Sequence, residues 1–171
     1  MTGLAEKVSK SPALREKFRQ AIRRSREAGV EMGFPLCSNG NLEAGGDIAA
    51  GEREMTKGTE TKMRIVQGCP LTGGKFLGSF HAHVAGPIQP SRLDLLSMMG
   101  SEEQVLCTGK DDRAYCVERK PGTGPTEIRR TVRRLTEAGG GTGLPDADTY
   151  RKIVGRTFHI RDFQLNEIDR K

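Results

Sequence analysis

Apolar residues fall at helical spacing at Leu14, Phe18 and Ile22, with Leu4 ahead of them, and charged side chains fill most positions between. That period predicts an amphipathic helix over Ser11 to Ala28. Ser11 can cap it, Pro12 suits its first turn and Gly29 ends it. Val30 to Leu36 then predicts a strand, closed by a turn at Ser38-Asn39-Gly40-Asn41. Gly45 to Lys57 mixes glycine, alanine and charge, and predicts a loop with one short strand around Ile48. Thr61 to Gln67 and Phe76 to Val84 predict strands, separated by the Gly-rich stretch from Leu71 to Lys75. Gly86 to Pro90 is a stiff connection into a helix over Ser91 to Met99, which offers Leu93, Leu95, Leu96 and Met99 for packing. Gln104 to Thr108 and Ala114 to Glu118 predict the arms of a hairpin. Thr126 to Ala138 predicts a second basic helix, and Asp146 to Val154 a last short one. Strands mixed with helices over short connections imply an α/β domain.

Composition narrows this picture. A chain of 171 residues suits one domain. Apolar residues make up 35% and aromatics 5%, with no Trp, so the core should be thin and the surface charged. No apolar run approaches the roughly 18 residues a membrane span needs, and Met1 to Lys10 has no hydrophobic signal segment, so the expectation is a cytoplasmic protein without a membrane partner. The net charge of +6 is concentrated in two places. One comprises Lys7, Lys10, Arg15, Lys17, Arg19, Arg23, Arg24 and Arg26; the other comprises Arg129, Arg130, Arg133 and Arg134. Solvated helix faces explain both, and both also suit an acidic protein or nucleic acid. Few aromatics are interleaved with them, which argues against stacking on single strands.

Cys37, Cys69, Cys107 and Cys116 contain no Cys-x-x-Cys pair, which argues against a cysteine zinc site. A hairpin turning through Lys110 to Arg113 would set Cys107 opposite Cys116, where a disulfide is possible. A cytoplasmic location favours reduced core thiols. The run Gly139-Gly140-Gly141-Thr142-Gly143 is flexible by composition and motivates a C-terminal segment that covers a cleft as a mobile lid.

Candidate chemistry centres on Gly78-Ser79-Phe80-His81-Ala82-His83-Val84. Residues two apart on a strand share a face, so His81 and His83 point the same way. Seven residues later come Ser91 and, three further on, Asp94. Taken alone, Ser-x-x-Asp at a helix start is close to a capping box. After a connection that turns the chain back, Asp94 in the first helical turn can also face the histidines. Two His and one carboxylate form a three-ligand zinc set with a fourth position open, the arrangement of catalytic sites. His159, the third histidine, is expected to be a structural or surface residue.

The run from His81 to Asp94, with Pro90 before the serine and Gly78 before the histidines, resembles the signature of the JAMM metalloproteases, the catalytic members of the MPN-domain superfamily. The resemblance extends over about residues 29–119. Ala82 and Val84 depart from the family's usual Ser or Thr and Pro, which bears on the substrate groove more than on the metal. The resemblance implies a single MPN (JAB)-like α/β domain over 1–171: a mixed curved sheet flanked by helices, an N-terminal helix at 11–28, a C-terminal helical extension at 126–171, and a zinc site at a strand–loop–helix junction. It implies Zn²⁺ held by His81, His83 and Asp94. It also implies a catalytic glutamate on an earlier strand, for which Glu31 fits best; Glu43, Glu52 and Glu54 compete from turn-rich sequence. The metal would lower the pKa of water from about 15.7 toward 7. Glu31 would act as general base then acid, and Ser91 would donate to the oxyanion. No His and Asp partners are arranged to make Ser91 a nucleophile.

The function this implies is zinc-dependent hydrolysis of an isopeptide or peptide bond, with a ubiquitin-like protein or its lysine conjugate as substrate. Two alternatives stand beside it: a nucleic-acid-associated protein like the DNA-repair branch of the superfamily, its basic helices on phosphates, or a noncatalytic MPN scaffold.

Overall fold

Helices α1 (Leu4–Ser9) and α2 (Pro12–Ala28) open the chain. Ser11 caps α2 by accepting from the Leu14 N–H at 3.2 Å. Gly29 closes α2 on the Ser25 carbonyl with φ of 70°, a left-handed conformation that glycine adopts at least cost. Leu14, Phe18, Ala21 and Ile22 are buried, as the periodicity predicts. The computed structural model describes residues 3–50, 52–56, 60–64, 69–99, 103–141 and 143–166, with the backbone alone at 52–56 and 60–64.

The strands follow as β1 (Met32–Ser38), β2 (Leu42–Ala44), β3 (Ala49–Ala50), β4 (Glu52–Thr56), β5 (Glu60–Arg64) and β6 (Lys75–Ala82). Helix α3 (Arg92–Ser97) leads to the hairpin of β7 (Val105–Lys110) and β8 (Arg113–Arg119). Helices α4 (Pro125–Ala138) and α5 (Ala147–Val154) precede β9 (Phe158–Gln164). Among the described residues the main sheet runs β2-β1-β6-β7-β8-β9, with β3 also on β1, and β4 and β5 form a separate hairpin. The pair β6–β7 is parallel, bridged by α3, and the other pairs are antiparallel. The architecture is thus mixed α/β with an open, mixed sheet and helices on both faces.

One face carries α2. Phe18 stacks on Phe80 at 4.1 Å between ring centroids, and Phe34 packs against both. The other face carries α3, α4 and α5, whose Leu95, Ile128, Leu135, Tyr150 and Val154 pack on Leu106, Tyr115, Val117 and Phe158.

Several expectations change. The short elements α1, β2 and β4 lie where no helix or strand was expected. The strand expected over Thr61 to Gln67 corresponds to β5 as far as Arg64; residues 65–67 lie outside the described set. The C-terminal extension expected to be helical ends in a strand: β9 pairs with β8 from Phe158 to Gln164, and Tyr150, Val154, Phe158 and Leu165 are buried. The expected reduced thiols are also corrected. Cys107 does lie opposite Cys116 in the β7–β8 register, and the two form a disulfide across a Cα separation of 4.1 Å; Cys37 pairs with Cys69. The Cys107–Cys116 bridge is buried in the cluster on the α2 face; Cys37 is buried and Cys69 half-buried. The thiol argument for a reducing compartment falls with them. Among the described residues, no helix is long and apolar enough to cross a membrane.

Candidate metal centre

The registers of β1 and β6 place the site. Phe34 pairs with Phe80, and Gly33 with His81. Alternation sends the two phenylalanines to the α2 face and His81 to the other. Gly33 is required there: a Cβ would lie 2.9 Å from His81 Cα and would run into the Phe80 carbonyl oxygen. His83 stands just past the end of β6, where its N–H still donates to the Gly109 carbonyl at 2.8 Å. Its imidazole therefore keeps to the same side as His81.

Asp94 reaches the histidines because Ser91 and Asp94 form a capping box at the start of α3. Ser91 Oγ accepts from the Asp94 N–H at 3.0 Å, and Asp94 Oδ2 accepts from the Ser91 N–H at 2.9 Å. The cap turns the carboxylate inward. His81 and Asp94 are 3% and 7% exposed.

Three ligand atoms converge. His81 Nε2 lies 3.2 Å from His83 Nε2, and Asp94 Oδ2 lies 3.3 Å from His83 Nε2 and 3.4 Å from His81 Nε2. These three residues form the group able to hold a metal ion among the described residues. Bonds of 2.0–2.1 Å to a tetrahedral zinc put neighbouring ligand atoms about 3.3–3.4 Å apart. The triangle therefore has the size of one face of a zinc tetrahedron. His83 Nδ1 lies 2.9 Å from the Pro87 carbonyl oxygen. A carbonyl only accepts, so Nδ1 carries the proton and the Nε2 lone pair faces the other ligands.

Electrostatics couple the same groups. Burial disfavours charge on His81, but Asp94, with smaller help from Glu31 and Glu103, holds its pKa above the ordinary imidazole value. Burial likewise pushes the Asp94 carboxyl up, yet the adjoining His81 and His83 hold it well below the usual carboxylate range. Glu103, buried just ahead of β7, acts on His81 although no motif in the sequence marks it.

Glu31 sits immediately before β1, on the face of Gly33 and His81. Ser25 clamps the turn that carries it: its carbonyl accepts from the Gly29 N–H at 2.8 Å and its hydroxyl from the Met32 N–H at 2.9 Å. Glu31 is half-buried and outside the metal-sized triangle, though its charge acts on His81. Glu43 lies on β2 opposite Cys37; the side chains of Glu52 and Glu54 fall outside the described set. His159 is exposed on β9, paired with Glu118 and apart from the centre. In comparisons with known proteins, no family model, no curated protein and no solved structure matches the chain.

Proposed function

We propose that the chain is a zinc-dependent hydrolase of the JAMM type, with an MPN-like domain, acting on an isopeptide or peptide bond of a ubiquitin-like protein or its lysine conjugate. The observation that carries this reading is the triangle of His81, His83 and Asp94 ligand atoms, with edges of 3.2–3.4 Å. Two neutral imidazoles and a carboxylate fit zinc and leave a fourth position for water or substrate. When bound, the zinc supplies Lewis acidity and a water of lowered pKa.

The chain's own residues supply the remainder. The Glu31 carboxylate accepts a proton from the attacking water and returns it to the departing amine. Ser91 Oγ already accepts from the Asp94 N–H; a hydroxyl has one proton of its own to give, which Ser91 directs to the oxyanion of the tetrahedral intermediate. Val84, 37% exposed on the connection beyond His83, offers apolar contact to the substrate beside the scissile bond. A complete ligand triangle weighs against a noncatalytic scaffold.

Elemental mass spectrometry of purified protein tests the reading. One zinc per chain, absent from a His81→Ala, His83→Ala variant, is expected. Ubiquitin-like conjugates should then be cleaved by the wild type and left intact by a zinc-replete Glu31→Ala variant. Failure of the wild type to take up zinc on reconstitution overturns it. One observation favours a second reading, a nucleic-acid-associated protein: Arg129, Arg130, Arg133 and Arg134 are all exposed on α4. Duplex DNA binding that weakens steeply with salt, and is lost on reversing those charges, would support it.

A further inference from the structure

The connection from β6 to α3 is held by its carbonyl groups. The Gly86 oxygen accepts from Lys110 Nζ at 2.6 Å, the Pro87 oxygen from His83 Nδ1 at 2.9 Å, and the Ile88 oxygen from Thr108 Oγ1 at 2.6 Å. The Pro90 oxygen accepts from the Tyr150 hydroxyl at 2.7 Å. The first three donors lie on or beside β6 and β7, close to the connection they hold. The fourth comes from α5, 60 residues away in sequence. Pro90 is the residue before Ser91, so this bond fixes the carbonyl from which the capping box begins.

We infer that Tyr150 is a positioning residue for the metal centre, and that α5 belongs to the site for this reason. The inference rests on the zinc reading above and assigns Tyr150 no contact with substrate or metal. Tyr150 is fully buried, and its ring meets Tyr115 edge-on at 5.8 Å between centroids. The ring therefore has one place to sit, and the hydroxyl one carbonyl to reach. Nothing about packing requires the oxygen: phenylalanine would fill the same space. Its function is directional. It pins the Pro90 carbonyl, Pro90 presents Ser91 and Asp94 through the cap, and Asp94 completes the triangle with the histidines. Groups bonded directly to a metal ligand typically cost about 10–100-fold in metal affinity when removed; Tyr150 acts one link further out, through the cap, so a smaller loss is expected.

The test compares Tyr150→Phe with Val154→Ala, a buried change on the same helix that leaves the hydroxyl in place. Two readouts are taken: amide hydrogen exchange at Asp94 and Leu95 in metal-free protein, and the zinc dissociation constant by competition with a chelator of known affinity. Tyr150→Phe should speed exchange at those amides and weaken zinc binding by up to about tenfold. Val154→Ala should lower the melting temperature more and change zinc affinity less. Wild-type exchange and zinc affinity in Tyr150→Phe would overturn the inference, as would an equal loss of affinity in both variants. If the wild-type chain binds no zinc, the hydrolase reading fails; faster exchange at Asp94 in Tyr150→Phe would still support Tyr150 as the group that orders the cap, and unchanged exchange would sink that too.

Discussion

Phe80 and His81 are neighbours on one strand and belong to different parts of the protein. Phe80 faces α2, in a cluster of three rings with Phe18 and Phe34. His81 faces α3, in a polar triangle with His83 and Asp94. The first face is held by burial, which is non-directional and tolerant of detail. The second is also packed, through Leu95, Leu106, Tyr150 and their neighbours, but around His81 it adds directed hydrogen bonds to backbone groups: the capping box, His83 to Pro87, Thr108 to Ile88. A strand sandwiched in this way can carry a demanding site because apolar packing surrounds it: the ring cluster behind, and the α3–α5 cluster beside it.

The largest expected effects separate the two faces. His83→Ala removes one corner of the triangle and should abolish zinc uptake and hydrolysis, while the ring cluster keeps the protein folded, as circular dichroism would report. Phe80→Ala should do the reverse. It opens a cavity among fully buried rings at a cost of about 3–5 kcal/mol, measured by denaturant unfolding, and the molecules still folded should bind zinc with affinity close to that of the wild type. A Phe80→Ala protein that folds but has lost its zinc would show that the faces are not separable.

Asp94→Asn sharpens the comparison within the polar face. The amide oxygen can still accept from the Ser91 N–H, so the helix cap survives, but the anionic ligand is gone. Asp94 is the N3 residue of the box and its carboxylate also faces His81 and His83, so the metal-free protein should lose about 1–3 kcal/mol of stability, while zinc affinity falls steeply. Equal zinc affinity in Asp94→Asn would mean that the carboxylate serves the helix alone.

Gly33→Ala is the change that should breach the separation, because Gly33 lies directly against β6. Its added methyl meets His81 on one side and the Phe80 carbonyl on the other. Overpacking of this sort costs about 1–3 kcal/mol, and any relief must shift β6. Both the unfolding midpoint and zinc affinity should therefore drop together; a drop in stability alone would mean that β1 gives way rather than β6.

The two faces also differ in how far they could be read from sequence. The buried stripe of α2 and the shared side of His81 and His83 were legible from helical spacing and strand alternation, and the approach of Asp94 from a Ser-x-x-Asp start. All of these are local rules acting over at most fourteen positions, His81 to Asp94. What escaped was long-range. Strand β9 has charged and polar residues among its apolar ones, and it becomes a strand by pairing with β8, forty-odd residues earlier in the chain. Tyr150 reads as an apolar position of a short helix, and nothing nearby reveals that its hydroxyl meets Pro90. The Cys107–Cys116 register was legible from the hairpin, whereas the bridge itself was not: opposition of two thiols is geometry, and oxidation is a matter of redox environment.

The smallest effects concern the two basic helices, one on each face. On α2 the cations of the first half, Arg15, Lys17 and Arg19, are committed. Arg15 donates to the carbonyl groups of Ser9 and Gln164, Arg19 donates to that of Leu165, and Lys17 lies over the Phe34 ring. They tie the end of β9 to the apolar face. On α4, Arg129, Arg130 and Arg133 line a shallow groove of about 210 Å³ with Thr126, and no hydrogen bond or ion pair of these arginines is seen among the described residues. Replacing Arg15 and Arg19 with alanine should thus lower stability by about 0.5–1.5 kcal/mol each, since these hydrogen bonds lie at a half-exposed surface. Replacing Arg129 and Arg133 should change it by no more than about 0.5 kcal/mol, because the groove is open and the like charges repel. The α4 pair should instead matter to an acidic partner of the site face: on an acidic protein substrate, Arg129→Glu with Arg133→Glu should raise KM, leave kcat unchanged and flatten the dependence of KM on salt. A KM untouched by that reversal would leave α4 a solvated helix, and the arginines on both faces would then differ only in what they hold in place.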